Sequence, residues 1–318
     1  MIPGSPEFRA ALLSALQNVP AVRTLGPVEI RTEERVSRNT VIYRCRAGST
    51  PLVAKAQLTK PPAVAAAEFR MLREMQDTFG QGTIRALRPV ALLDELGVVV
   101  THEEGGDPLR SLIERALVSS GPCWDLATSV VEAAARALRL FHDSSVERLQ
   151  EPREATDQVR CYMDFSSKNI LVRWRDRDSA EPELVLMDPP EEEKWGDRTD
   201  DIGVYCFDLA RVRFDPRFVA KPGVSKRLDR LKAHFIKSYY GDLGSKDLKH
   251  MLRKIVSAER RRAGQTLGWY LRPWRYDRML REVARLLYLA PLTVAYLVGG
   301  SRLGAKRVSA SIRTLEEL

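Results

Sequence analysis

Asp164 is followed five positions later by Asn169, and an apolar run, Ile170-Leu171-Val172, begins at once. Sixteen residues beyond Val172 stands a second acid, Asp188, closing another apolar run, Leu184-Val185-Leu186-Met187. Two short strands flanking a turn, with Asp, Asn and Asp at their edges, converge three oxygen-bearing side chains. Such a set suits holding a divalent cation against phosphates while one carboxylate orients a hydroxyl. Taken alone, the same pattern also describes a hairpin with solvated polar ends.

The elements upstream supply the other charges. Glu29 to Val36, Thr40 to Ala47 and Pro51 to Leu58 are β-prone runs separated by Ser37-Arg38-Asn39 and Gly48-Ser49-Thr50, which predicts an antiparallel meander. Lys55 lies in the third run, as an edge-strand solubility charge or as an inward ammonium aimed at phosphate. Thirteen residues later, Glu68 falls within an Ala-rich helix expected from Ala63 to Met75. It either pairs with Lys55 or faces water. A leading helix is expected over residues 9–20, and Leu96 to Thr101 reads as a buried strand. His102-Glu103-Glu104-Gly105-Gly106 breaks the pattern and reads as a hinge, with Asp107 as N-cap and Pro108 opening a helix. A long helix is expected through Val130 to His142. Asp208, in an apolar helical stretch, either faces water or finds partners such as the backbone of a catalytic loop.

The length of 318 residues and the ordinary composition fit one two-lobed domain or two small ones. No basic-then-apolar leader opens the chain, so a cytoplasmic protein is expected. Met1 to Phe8 resembles a cloning scar and carries no functional weight. Cys45, Cys123, Cys161 and Cys206 show no paired spacing, which favours reduced thiols over a disulfide framework or zinc site. The net charge of +9 points to an anionic partner.

Asp164-Phe165-Ser166-x-x-Asn169-Ile170-Leu171-Val172 resembles the catalytic loop of protein-kinase-like small-molecule kinases, the aminoglycoside and choline phosphotransferases. Leu138-x-x-Phe141-His142 is similar to the end of the helix before that loop, Asp188 stands where the metal-binding Asp falls, and Asp208-Leu209-Ala210 matches the helix beyond it. Lys55 and Glu68 take the strand-Lys and helix-Glu places, so the order is kept across residues 28–215. The helical stretch 227–262 is similar to the tail of bacterial lipopolysaccharide core-sugar kinases. The resemblance implies an α+β, bilobal protein-kinase-like fold: a leading segment 1–27, an antiparallel nucleotide-binding lobe 28–103 and a helical catalytic lobe 104–318. It implies ATP and Mg2+ as cofactors, and transfer of the γ-phosphoryl group to a hydroxyl. Asp164 would be the catalytic carboxylate, with Lys168 touching the γ-phosphate. Ser37, Lys55, Glu68 and Glu103 would contact or support the nucleotide, and Asn169 and Asp188 would ligate the metal.

Three departures refine this. Ser37-Arg38-Asn39 has no glycine, Tyr162 replaces the usual His, and Pro189-Pro190 replaces Phe-Gly after the metal Asp, which turns the reading from protein kinases to small-molecule kinases. The acidic run Glu191–Glu193 would bind a cationic acceptor or simply be solvated, and solvation is favoured. Leu286 to Gly300, interrupted by Pro291, is short for a spanning helix and reads as a buried helix or an interfacial one, flanked by Trp269, Trp274, Arg275, Arg302, Lys306 and Arg307. The favoured acceptor is a cell-envelope glycan or glycolipid at the inner membrane face. The alternatives are an antibiotic phosphotransferase, a protein kinase and a nucleotide-binding pseudokinase; a nucleic-acid partner ranks last.

Overall fold

The computed structural model describes residues 2–35, 40–57, 60–80, 82–147, 158–174, 182–190, 193–219, 221–241, 245–270, 293–294, 296–297 and 306–312. In chain order, α1 (Pro6–Asn18) and α2 (Pro20–Arg23) precede β1 (Val28–Arg35), β2 (Thr40–Ala47), β3 (Thr50–Gln57) and α3 (Pro62–Phe79). Then come β4 (Ile84–Ala86), β5 (Pro89–Leu93), β6 (Val98–His102), β7 (Asp107–Pro108), α4 (Leu109–Val118), α5 (Pro122–Glu147) and β8 (Gln158–Arg160). β9 (Ile170–Arg173), β10 (Glu183–Leu186), β11 (Trp195–Asp197), α6 (Arg198–Val212), α7 (Pro216–Val219), α8 (Val224–Tyr240) and α9 (Ser245–Tyr270) complete it. The chain divides into two compact units. One is Met1–Gly106 with Leu171–Glu193, and the other is Asp107–Ile170 with Lys194–Leu318.

The first unit is built on a five-stranded antiparallel sheet in the order β1-β2-β3-β6-β5. Alternation decides its two faces. Val41, Tyr43, Cys45 and Ala47 of β2 are buried together with Leu52, Ala54 and Ala56 of β3, in a core that also takes Phe8, Leu12 and Leu16 of α1. α1 is capped by Ser5, whose hydroxyl accepts the Phe8 N–H. Phe8 stacks on Tyr43 with ring centroids 5.8 Å apart, and the Tyr43 hydroxyl accepts the Gly4 N–H at 2.7 Å. The opening residues are therefore part of the packed unit. α3 buries Ala65, Glu68, Met71, Leu72 and Met75, a helical stripe interrupted by one carboxylate.

Leu171–Glu193 contributes β10, which pairs in parallel with β4 through Leu184–Ile84, Val185–Arg85 and Leu186–Ala86. Two carboxylates buried in this unit, those of Glu104 and Glu183, are bridged by arginines. Arg85 and Arg173 reach both, and Arg88 joins Glu104 at 3.0 Å. Gly106 is fixed rather than free. Its φ of 134° is a glycine conformation, and a Cβ there would stand 2.8 Å from the Val172 carbonyl oxygen.

The second unit is helical apart from short strands such as the β8–β11 antiparallel pair. α5 packs on α8, and α6 on α9. α6 and α9 cross closely at Gly203, where a Cβ would come within 2.4 Å of the Ala258 Cβ. The expected N-cap at Asp107 is not made: Asp107 lies in β7 and pairs with Arg115 at 3.2 Å, while Pro108 precedes α4 without a side-chain cap. The four cysteines are free thiols, and Cys45, Cys161 and Cys206 are buried. Most of Leu286 to Gly300 lies outside the described residues. Of its described members, Tyr296 is buried against Phe207, Phe214 and Ala263. Among the described residues no helix is long and apolar enough to cross a membrane.

Candidate active site

Lys55 sits mid-strand on β3, between Ile42 of β2 and Val99 of β6. Its neighbours Ala54 and Ala56 are packed into the core with α1, so alternation turns Lys55 to the opposite face. There its ammonium meets Glu68 Oε1 at 3.0 Å and Asp188 Oδ1 at 2.9 Å. Burial works against the ammonium's charge, but Glu68 and Asp188 outweigh it and hold the pKa above the ordinary lysine value. The two carboxylates differ. Glu68 is buried, whereas the Asp188 side chain is about half exposed. Asp188 also adopts φ 47°, a left-handed conformation uncommon outside glycine. Strain of this kind, about 1–3 kcal/mol, gathers where surrounding structure needs a side chain aimed in one direction.

In the second unit the loop Cys161–Asn169 is held from below by α6. Asp201 accepts the Tyr162 N–H at 2.5 Å and the Met163 N–H at 2.7 Å, and its Oδ2 lies 3.0 Å from His142 Nε2. His142 in turn meets the Tyr239 hydroxyl through Nδ1 at 2.5 Å. Two helical turns further along α6, Asp208 accepts the Ser167 N–H at 2.9 Å and the Ser167 hydroxyl. Arg110 also donates to the Asp208 carboxylate, at 3.4 Å. Asp208 is thus buried and partnered, not turned to water. Tyr162 fills the core between Phe141 and Phe165. Met163 takes φ 72°, the second left-handed non-glycine residue in the described chain.

Above this support, Asp164 is exposed. Asn169 donates through Nδ2 to the Asp164 carbonyl at 3.0 Å and to Oδ2 at 3.1 Å. That orientation leaves the amide oxygen of Asn169, which has no partner among the described residues, available as a hard ligand atom. Arg262 of α9 donates to Asp164 Oδ1 at 2.6 Å. Lys168 is exposed, with no partner among the described residues. Glu103 donates its N–H to the Pro51 carbonyl and pairs its carboxylate with Arg44. Ser37 and Glu191–Glu192 lie outside the described residues. The structure therefore brings Lys55, Glu68 and Asp188 together in one unit, and Asp164 and Asn169 in the other.

Sequence reasoning missed two participants. Asp201 stands seven residues before Asp208 on one helix, a spacing that puts both acids on one face. That spacing was a usable signal. Arg262, 98 residues from Asp164, left none.

No protein-family model matches the chain, and no curated protein matches it in sequence. The structure does resemble solved ones. A Plasmodium vivax ethanolamine kinase superposes with TM-score 0.51 at 12% identity, over 84% of this chain and 83% of that one. The GDP complex of an aminoglycoside 2'-phosphotransferase-IIIa gives 0.54 at 10% identity, over 92% of this chain and 99% of that one. The chain has the α+β, protein-kinase-like fold of small-molecule phosphotransferases.

Proposed function

We propose that this protein transfers the γ-phosphoryl group of ATP to a hydroxyl of a small molecule or sugar. The observation that carries it is the Lys55 ammonium, held on an inward strand face by buried Glu68 and shared with exposed, left-handed Asp188. An edge-strand solubility lysine has no use for such a frame.

Each residue then has a task. Lys55 neutralises α- and β-phosphate charge, and Glu68 fixes its position. Asn169 and Asp188 would hold Mg2+, since each offers an oxygen to a cation that takes oxygen ligands. The cation would supply charge neutralisation to the phosphates. Asp164 accepts a hydrogen bond from the acceptor hydroxyl and orients its oxygen toward the γ-phosphorus. As that O–P bond forms, the bond from γ-phosphorus to the β,γ-bridging oxygen breaks and ADP leaves. The hydroxyl proton passes to Asp164 late, and from there to water. Lys168 would reach the γ-phosphate, Glu103 would border the adenine, and Ser37, outside the described residues, would take the phosphate-covering role.

For the acceptor, the net charge of +9 and the basic helices α8 and α9 support an anionic molecule, with a cell-envelope glycan or glycolipid as the favoured case. Peripheral contact with an anionic membrane at its cytoplasmic face belongs to the same proposal.

The test is magnesium-dependent ADP formation by the purified chain. Asp164→Asn should lower turnover about 10²–10⁴-fold, the usual span for a positioned acid–base group, while nucleotide binding persists. Turnover that survives Asp164→Asn would overturn the assignment of the base. Nucleotide binding without turnover in the unaltered protein would favour a pseudokinase scaffold.

A further inference from the structure

We infer that Arg262 sets acceptor specificity, and that the acceptor carries an anionic group, a phosphate or carboxylate, within a few ångströms of its reacting hydroxyl. The inference rests on Asp164 being the hydroxyl-orienting carboxylate. Both oxygens of that carboxylate are engaged by the chain itself: Oδ2 by Asn169 at 3.1 Å, Oδ1 by Arg262 at 2.6 Å. The two contacts are not alike. Asn169 belongs to the same turn, whereas Arg262 arrives on a long stem from α9. Its side chain is one-third exposed and that of Asp164 about half, so the pair is a solvated one of small net strength.

A hydroxyl approaching Asp164 must share an oxygen with Asn169 or Arg262, and Oδ1 is the one whose present partner comes from outside the turn. A neutral acceptor offers Arg262 nothing in exchange, and a cationic one is repelled by it. An acceptor with a phosphate or carboxylate beside its hydroxyl gives the guanidinium a planar, two-oxygen partner and frees Oδ1 for the hydroxyl. The guanidinium is equipped for this. It has five N–H donors, and apart from the contact with Asp164 they have no partner among the described residues. Its neighbour Arg261 is already committed to Asp200. The helix that carries it holds seven Lys and Arg against two Asp and Glu, a net of +5.

The experiment uses the full chain with Mg-ATP and three probes of one carbon skeleton: glycerol, glycerate and glycerol 3-phosphate. Each is titrated for its effect on ADP formation, as acceptor or as competitor. One anionic probe or both should act at a concentration about tenfold or more below glycerol, the scale of a charge-assisted contact. The preferred anion tells phosphate from carboxylate. Arg262→Gln should erase the preference to within about twofold, and Arg262→Lys should keep part of it, since charge survives without the fork. A role confined to folding would not move this ratio. Equal action of all three probes, including none, or a preference that Arg262→Gln leaves intact, overturns the inference. Failure of the unaltered protein to bind Mg-ATP, read separately by nucleotide fluorescence titration, would instead sink the phosphotransferase reading.

Discussion

Replacing Asp201 by Asn keeps the size of the side chain and removes one acceptor. Asp201 Oδ1 takes the Met163 N–H, and Oδ2 takes the Tyr162 N–H and lies against His142 Nε2. An amide has one oxygen, so whichever way it turns, a backbone N–H of the loop faces an NH2 group. A buried donor left unpaired costs about 1–3 kcal/mol, and the contacts that remain lose their ionic strengthening, so the total is roughly 2–4 kcal/mol. At about 2–4 °C per kcal/mol for a chain segment of this size, the melting temperature should fall by roughly 4–16 °C. Turnover should fall further than stability alone implies. Met163 precedes Asp164, and a misplacement of about 1 Å costs on the order of 10²-fold in rate. Differential scanning fluorimetry and ADP formation below the transition separate the two effects. Asp200→Asn is the matched control, because Asp200 is only half-buried and pairs only with Arg261 among the described residues, so it should shift stability by about 0.5 kcal/mol or less. If Asp201→Asn melts within a degree of that control and turns over normally, Asp201 does not hold the loop.

Three further outcomes follow from contacts already described or close to them. Lys55→Met leaves buried Glu68 without its cation, and should weaken Mg-nucleotide affinity at least tenfold by titration; Glu68→Gln should cost less, because Lys55 keeps Asp188. Phe8→Ala removes a ring stacked on Tyr43 and should destabilise by about 3–5 kcal/mol in denaturant melts. Asp197 caps α6. Burial opposes its charge, but the N–H and hydroxyl of Thr199 and the ammonium of Lys254 outweigh it and hold the carboxyl below the ordinary range. Its stabilisation is therefore complete above the usual carboxylate pKa and disappears as pH falls through the lowered one. Asp197→Ala should cost about 1 kcal/mol at pH 7, with the difference from the unaltered chain closing in thermal melts as the pH falls below the ordinary carboxylate range.

The parts of the site legible in the sequence were those whose geometry is local. Asp164 to Asn169 is one turn, and Lys55 on a strand and Glu68 on the following helix keep a separation that the fold can close. The meander was readable from β-prone runs divided by polar turns, and Thr40–Ala47 forms a strand over the whole expected span. Boundaries slipped where end effects decide: α3 runs on to Phe79 because Gly80 closes it, and α4 starts at Leu109 because Asp107 is held in β7. The supporting shell was less visible. Asp201, His142 and Tyr239 come from three helices and meet only after packing, and the bridging of Glu104 and Glu183 by arginines from separate strands has no periodic signature. Arg262 is the extreme case, since a helix surface arginine looks the same whether it meets water or Asp164.

The division of the first unit into Met1–Gly106 and Leu171–Glu193 bears on the order in which the molecule can be assembled. A ribosome delivers β1 to β6 and α3 well before β10. Until then β4 lacks its parallel neighbour, Glu104 lacks Arg173, and Lys55 has Glu68 alone. Closing that loop requires the intervening residues of the second unit to have been synthesised first. Lys55 thus acquires its second carboxylate only after the loop carrying Asp164 has left the tunnel. A fragment ending at Gly106 would keep the whole five-stranded sheet but leave β4 without its parallel neighbour and Lys55 with one carboxylate instead of two. The Lys55–Asp188 pair is therefore a late event in the life of the nascent chain.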